Sequence, residues 1–408
     1  MRLPEGWKLA KIGEIAKFYS GGTPSKLNDK FWGGVHPWIT AKDLKKHYLG
    51  NSIDTLTDIG FAKAKIAPLG ATLILVRGMT LLKNFPVGYA TRPMSFNQDI
   101  KALVPLQGTD GLFLSFFLVA QKDKIRQFVS IASHGTGKLD TEIIKGLSIK
   151  IPPFPEQQKI AQILSTWDKA IEKLEALIAA KQKRKKALMQ QLLTGKKRFP
   201  GFNGKWKDIK LKAVFNEIKD KNDGAESHSI MTISSRLGLI SQEDKFDRVI
   251  AGDSLKKYTQ LTYNDFAYNK GNSKSYRMGC IYQLEDRASA LVPFVYICFS
   301  PTDEVCSSFY KHWFLAHGLD RQLKKIITSG ARGDGLLNVN TKDFFSLKIP
   351  FPTKKEQIAI AEILQAADQE ITTHQNQLTA LKQQKQGLMQ QLLTGKVRVK
   401  LKPEGTIQ

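Results

Sequence analysis

The side chains of this chain best placed to do chemistry are those that hold anions and read the edges of bases. Asn97-Gln98 offers neighbouring amides, and Arg77-Gly78 offers a guanidinium at the end of an apolar run. Amides match the adenine edge and guanidinium the guanine edge. The loop Ser20-Gly21-Gly22-Thr23-Pro24-Ser25-Lys26 can bring small groups and backbone N–H close to phosphate. Thr40 and Lys42 follow the strand-like Trp38-Ile39 as a polar tip, with Trp38 itself expected in the core. In the second half, residues 269–277 form the densest polar and basic loop; Asn269, Lys270, Ser273, Lys274, Tyr276 and Arg277 are its candidate contacts. Ser235 and Arg236 are a smaller candidate pair. The Gly-rich turns at 133–138 and 330–334, with Thr136, Lys138 and Arg332, are either phosphate nests or tight connectors. The basic run 181–186 is either a solvated helix face or a track for a nucleic-acid backbone.

None of these sets reads as a catalytic centre. Gly135-Thr136-Gly137-Lys138 fails as a phosphate loop, which needs Gly, four residues, then Gly-Lys-Ser/Thr; Ala132 and Leu139 break that pattern. Ile151-Pro152-Pro153-Phe154 resembles the Asn-Pro-Pro-Phe loop of amino-methyltransferases, but Ile151 replaces the Asn and no Gly-rich cofactor motif accompanies it. His312 and His317 are five apart, a poor ligand spacing, and no His/Cys cluster has zinc spacing. A non-catalytic chain without metal or cofactor is expected.

Composition narrows the partner. A net charge of +25 over 408 residues favours a polyanion, either nucleic acid or an anionic membrane surface. Apolar content of 42% fits a soluble globular protein, and no apolar run approaches the ~18 residues of a spanning helix. The start, MRLPEGWK, lacks a signal-peptide core. Three cysteines, Cys280, Cys298 and Cys306, give an odd count, which argues for reduced thiols in a cytoplasm and so for nucleic acid over membrane.

These loops must be held by something, and the chain repeats its own support. LMQQLLTGK occurs at 188–196 and again at 388–396. Glu156-Gln157 and Glu356-Gln357 echo upstream, each shortly after a Pro-rich stretch. Between them, Ile160, Leu164, Trp167, Ile171, Leu174, Ile178, Lys181, Lys185, Leu188 and Leu192 alternate at spacings of 4 and 3, a heptad seam; residues 360–392 repeat it in register. Each predicted helix runs roughly 39 residues, about 58 Å. Gly195 and Gly395 suit the C-terminal caps. Such a stripe needs a partner: the other copy in the same chain, present at high effective concentration, or a second chain. Intramolecular antiparallel pairing gives a pseudo-two-fold arrangement.

The segments 1–150 and 199–348 are then two related globules of mixed α+β character. Trp7-Lys8 answers Trp206-Lys207, a helical stretch at 112–129 answers 309–327, and Ser-Ile-Lys-Ile-Pro (148–152) answers Ser-Leu-Lys-Ile-Pro (346–350). The apolar runs 72–76 and 292–299 each read as one strand.

Taken together, the Glu-Gln helix entries, the QQLLTGK helix ends, Phe96-Asn97-Gln98-Asp99 and Pro37-Trp38-Ile39-Thr40 resemble the specificity subunits of type I restriction–modification systems, over the whole length. The resemblance implies an α+β fold: two mixed α/β target recognition domains (1–150 and 199–348) joined by two antiparallel coiled-coil spacer helices (151–198 and 349–400), with a tail at 401–408. It implies that each domain reads one half of a bipartite site on double-stranded DNA. The helices would set the spacing, at most about 17 base pairs for a 58 Å spacer, and dock two modification subunits. S-adenosylmethionine, ATP and magnesium would belong to those and to the restriction subunits, not to this chain. The readings left beside it are a coiled-coil scaffold without DNA readout and the DNA-binding part of a fused restriction–methylation enzyme.

Overall fold

The computed structural model describes residues 3–132, 135–222, 224, 229–235, 237–246, 252–271, 276–327 and 336–401. The chain divides into two units, residues 1–175 with 376–408, and residues 176–375. Both boundaries fall inside the two long helices, Phe154–Leu192 and Lys354–Thr394. Each unit therefore contains one globule, the first half of one helix and the second half of the other.

Inside both units the helix halves run antiparallel, and ion pairs at or beside the seam mark the pairing. In unit 1, Lys385 pairs with Asp168 and Lys382 with Glu175. In unit 2, Lys185 pairs with Asp368 and Lys181 with Glu370. The seam positions read from the sequence are buried or half-buried, whereas most positions between them are exposed. The three seam lysines, Lys181, Lys185 and Lys385, thus keep their stems against the partner helix and carry their charge to a carboxylate. Gly195 and Gly395 sit at φ 67° and 72°, where a side chain would be strained, and turn the chain out of each helix.

Each globule combines the same two sheets. In unit 1 a four-stranded sheet runs in the order Asp54–Leu56, Trp32–Ile39, Met94–Phe96, Ile66–Ala67. In unit 2 the order is Gly238–Ser241, Ser229–Ser234, Ser289–Val292, Thr259–Thr262. The central pair is parallel and the flanking pairs antiparallel in both. The second sheet sets Ala16–Ser20, Ile100–Pro105 and Thr72–Leu75 side by side in unit 1, and Phe215–Glu217, Ile297–Pro301 and Phe266–Asn269 in unit 2. The core of unit 1 joins Leu73, Phe96, Leu103 and Phe113 to Ile160, Leu164, Leu392 and Leu393 of the helices. Unit 2 repeats this with Phe266, Phe299 and Phe309 against Ile360, Leu364, Leu192 and Leu193.

Two sequence expectations change. Residues 112–129 and 309–327 are not single helices. Gly111–Ala120 is followed by Lys122–Arg126, and Ser307–Leu315 by Asp320–Ile326. The run 292–299 is two strands of different sheets, because Pro293 opens a turn closed by Tyr296 N–H on the Pro293 carbonyl, 3.0 Å. Among the described residues no helix is long and apolar enough to cross a membrane.

Candidate nucleic-acid interface

Unit 1 gathers most of its sequence-singled residues on one face. The Gly-rich loop 20–26 lies on the turn that follows Met94–Phe96: Gly22 N–H donates to the Phe96 carbonyl at 2.9 Å. A Cβ at Gly21 would fall 2.1 Å from the Asn97 carbonyl, so only glycine lets the two segments approach this closely. Thr23 Oγ1 then donates to Gln98 Oε1 at 2.7 Å. Lys26 Nζ lies 5.7 and 5.5 Å from the ring centres of Trp32 and Trp38, within cation–π range. Trp38 is buried, as expected, and its Nε1 donates to Gly22 O at 3.0 Å.

The tip after Trp32–Ile39 is tied by Asp43, which accepts from Thr40 N and Oγ1, both 2.8 Å, and from Ile53 N at 2.8 Å. Asp43 is therefore occupied in holding the turn, while Lys42 projects exposed from it. Asn97 is half-buried and donates to Asp99 at 3.3 Å. A cleft of about 470 Å³ is lined by Thr23, Lys26, Trp38, Thr40, Lys42, Asn97 and Gln98, among others.

Gln98 also lines a second cleft, about 310 Å³, with Arg77, Lys101, Lys138 and Thr141. Arg77 and Lys138 are register partners in a small antiparallel sheet, Arg77–Gly78 against Gly137–Lys138. Thr136 sits half-buried at the tip of the same hairpin, its carbonyl accepting from Ala132 N. Ser20 accepts from Lys101 Nζ. So Thr23, Lys26, Thr40, Lys42 and Gln98 line one cleft and Arg77, Gln98 and Lys138 a second, joined at Gln98, with Ser20 and Thr136 on the neighbouring segments.

That surface extends through lysines the sequence reading did not single out. A cleft beside Lys42 is lined by Lys45 and Lys46, and these two also line a smaller cleft with Lys122 and Lys385. Lys42-x-x-Lys45-Lys46 was a visible basic cluster. The addition of Lys101, Lys122 and Lys385 depends on the fold alone.

At the inner end of this path sits His47. Burial, opposed by Asp168 and aided by Lys385, pushes its pKa down to about 4. His312 of unit 2 is likewise pushed down to about 4, by burial first and Lys185 next, against Asp368.

Unit 2 places the described start of its candidate loop, Asn269 to Gly271, at the matching site. Leu139 N donates to Val76 O in unit 1, and Leu337 N donates to Lys270 O in unit 2, both 2.9 Å. The bridge Gly271–Leu336 answers Arg77–Lys138. Asn269 Oδ1 accepts from Gly271 N at 2.8 Å and shapes the turn. Tyr276 stacks on His317, centroids 4.9 Å apart. Tyr282, its hydroxyl held protonated chiefly by burial, donates to Ser235 O at 3.1 Å and meets Tyr276 Oη at 3.4 Å. Ser235, Asn269, Lys270 and Tyr276 are half-buried, and Arg277 is exposed. Arg236, Ser273, Lys274 and Arg332 lie outside the described residues.

The model of the type I restriction modification DNA specificity domain matches residues 4–182 and 296–383, well over half the chain. The chain belongs to this family. Similar to it over 98% of its length are the MjaIX and MjaVIII type I specificity subunits of Methanocaldococcus jannaschii, 25% and 23% identical, each covered to 95%. Among solved structures, the S subunit from M. genitalium matches with TM-score 0.59 at 17% identity over 96% of this chain and 98% of that one. A chain from work on complex assembly and conformational transition of the type I system matches with TM-score 0.59 at 15% identity, over 97% and 100%. At such identities these two structures speak to the fold. The stretch of this specificity-family chain between the two matched segments, 183–295, holds the 269–277 loop.

Proposed function

We propose that this specificity subunit directs a type I restriction–modification complex to a bipartite DNA sequence, each globule reading one half. The observation that supports the reading is the unit 1 face centred on Gln98, where a guanidinium, an amide and a hydroxyl (Arg77, Gln98, Thr40) are flanked by exposed lysines. The lysines contact phosphates and fix register; the amides and guanidinium discriminate bases. Thr23 takes one lone pair of Gln98 Oε1, leaving the second lone pair and the amide hydrogens for a base edge.

In this reading the chain performs no catalysis. Two modification subunits dock on the helix pair and use S-adenosylmethionine, restriction subunits add ATP- and magnesium-dependent steps, and the complex works in the cytoplasm. The helices set the unread gap, so deleting one heptad from each shortens it by about 10 Å, or three base pairs. Selection of duplexes from a random pool by the assembled complex tests the reading. Enrichment of two short specified segments with a fixed gap supports it; enrichment of no sequence, or of one uninterrupted segment, contradicts it.

A further inference from the structure

The turn that carries Gln98 has a counterpart in unit 2 with the opposite chemistry. In unit 1 the turn joins Met94–Phe96 to Ile100–Pro105 and is closed by Ile100 N–H on Asn97 O, 3.2 Å. In unit 2 it joins Ser289–Val292 to Ile297–Pro301 and is closed by Tyr296 N–H on Pro293 O, 3.0 Å. The flanking strands have the same neighbours and directions in both units. Counting along them sets Phe294 at the Gln98 position.

Phe294 is 49% exposed. A half-exposed phenyl at a turn tip forgoes burial that the core below would offer, and here the turn is rigid. Pro293 fixes its own φ, and Tyr296 Oη accepts from Ile233 N at 3.2 Å. Val292, one residue before the turn, is fully buried. The ring is thus presented on a fixed support, on the side of unit 2 that answers the Gln98 face.

We propose that Phe294 is a specificity-determining residue of the second globule and reads a thymine by apolar contact with its C5-methyl group, the one apolar mark on a base edge in the major groove. This rests on the proposed bipartite readout and deepens it. The first half-site is read at this turn by a hydrogen-bonding amide, and the second by a hydrocarbon surface.

The test uses the assembled complex and duplexes carrying its recognised site. Each thymine of the half-site read by unit 2 is replaced in turn by deoxyuridine, which pairs alike but lacks the methyl. At one position the wild-type complex should lose about fourfold in affinity, the value of one buried methyl. F294A should bind the thymine and deoxyuridine duplexes equally, and F294L should keep part of the difference. Thermal unfolding of each variant checks that the fold is intact. A half-site without thymine, no deoxyuridine-sensitive position in the wild type, or sensitivity that persists in F294A overturns the proposal. None of these outcomes touches the bipartite reading, which fails separately if the complex enriches no sequence or one uninterrupted segment.

Discussion

Glu156 and Arg398, 242 positions apart, form a forked pair: Nε to Oε1 at 3.1 Å and Nη2 to Oε2 at 2.7 Å. Glu356 and Arg198 form the same pair at 2.7 Å for both bonds. In each case the carboxylate opens one long helix and the guanidinium follows the other. A tryptophan completes each set, Trp7 Nε1 on Glu156 at 3.2 Å and Trp206 Nε1 on Glu356 at 3.0 Å. Both glutamates are buried, so losing either partner strands polar groups.

These junctions should limit stability. E156A and E356A are each expected to lower Tm by on the order of 10 °C, and R398K, which keeps charge but not the fork, by less. Differential scanning calorimetry reads the effect. Leu392→Ala should cost about 2–5 kcal/mol as a core cavity.

The same junctions explain the most conspicuous repeat in the sequence. Leu192-Leu193 and Leu392-Leu393 are core residues, and Gly195 and Gly395 turn beneath Trp206 and Trp7. The Glu-Gln entries hold Glu156 and Glu356 for the arginines. Gln157 Oε1 accepts from Asp110 N and Gln357 Oε1 from Cys306 N, both 2.8 Å. The heptad helices were legible because a strong period over some 39 residues leaves few alternatives. The partners of the seam lysines Lys181 and Lys185, Glu370 and Asp368, lie on the other helix and were not legible in the period itself. The turn at Pro293 was hidden inside an apolar run, since the residues on both sides are strand formers in different sheets. Which loops share a face was not legible either, since residue 98 meets residues 23 and 77 only through sheet pairing.

Acid should weaken the fold through His47 and His312, half-buried and buried respectively among the described residues. In the unfolded chain they titrate near 6.5, and in the fold near 4. The unfolded state therefore binds more protons between those values, and stability present near pH 7 is lost as pH falls from about 6.5 toward 4, by up to about 3 kcal/mol per histidine. His312→Phe, which places in unit 2 the residue type of Phe116 in unit 1, should flatten part of that loss. Denaturant midpoints measured from pH 7 to pH 4.5 check it; an equal slope in wild type and variant contradicts it.

The lysine path and Gln98 should separate affinity from specificity. Replacing Lys45 and Lys46 together with alanine should weaken all DNA sequences alike and reduce the log–log salt slope by about 2. Q98A should cost about 1–3 kcal/mol on the preferred sequence only, relaxing one base position. Salt titrations on preferred and scrambled duplexes distinguish the two effects.

The division of labour between the globules is most directly tested by mapping methylated adenines in cells that express this chain with its partner subunits, as wild type and as Q98A. The account predicts a wild-type motif of two specified parts around a fixed unread gap, with Q98A altering one part and leaving the other and the gap unchanged. A single uninterrupted motif, or a Q98A change in both parts, would contradict it.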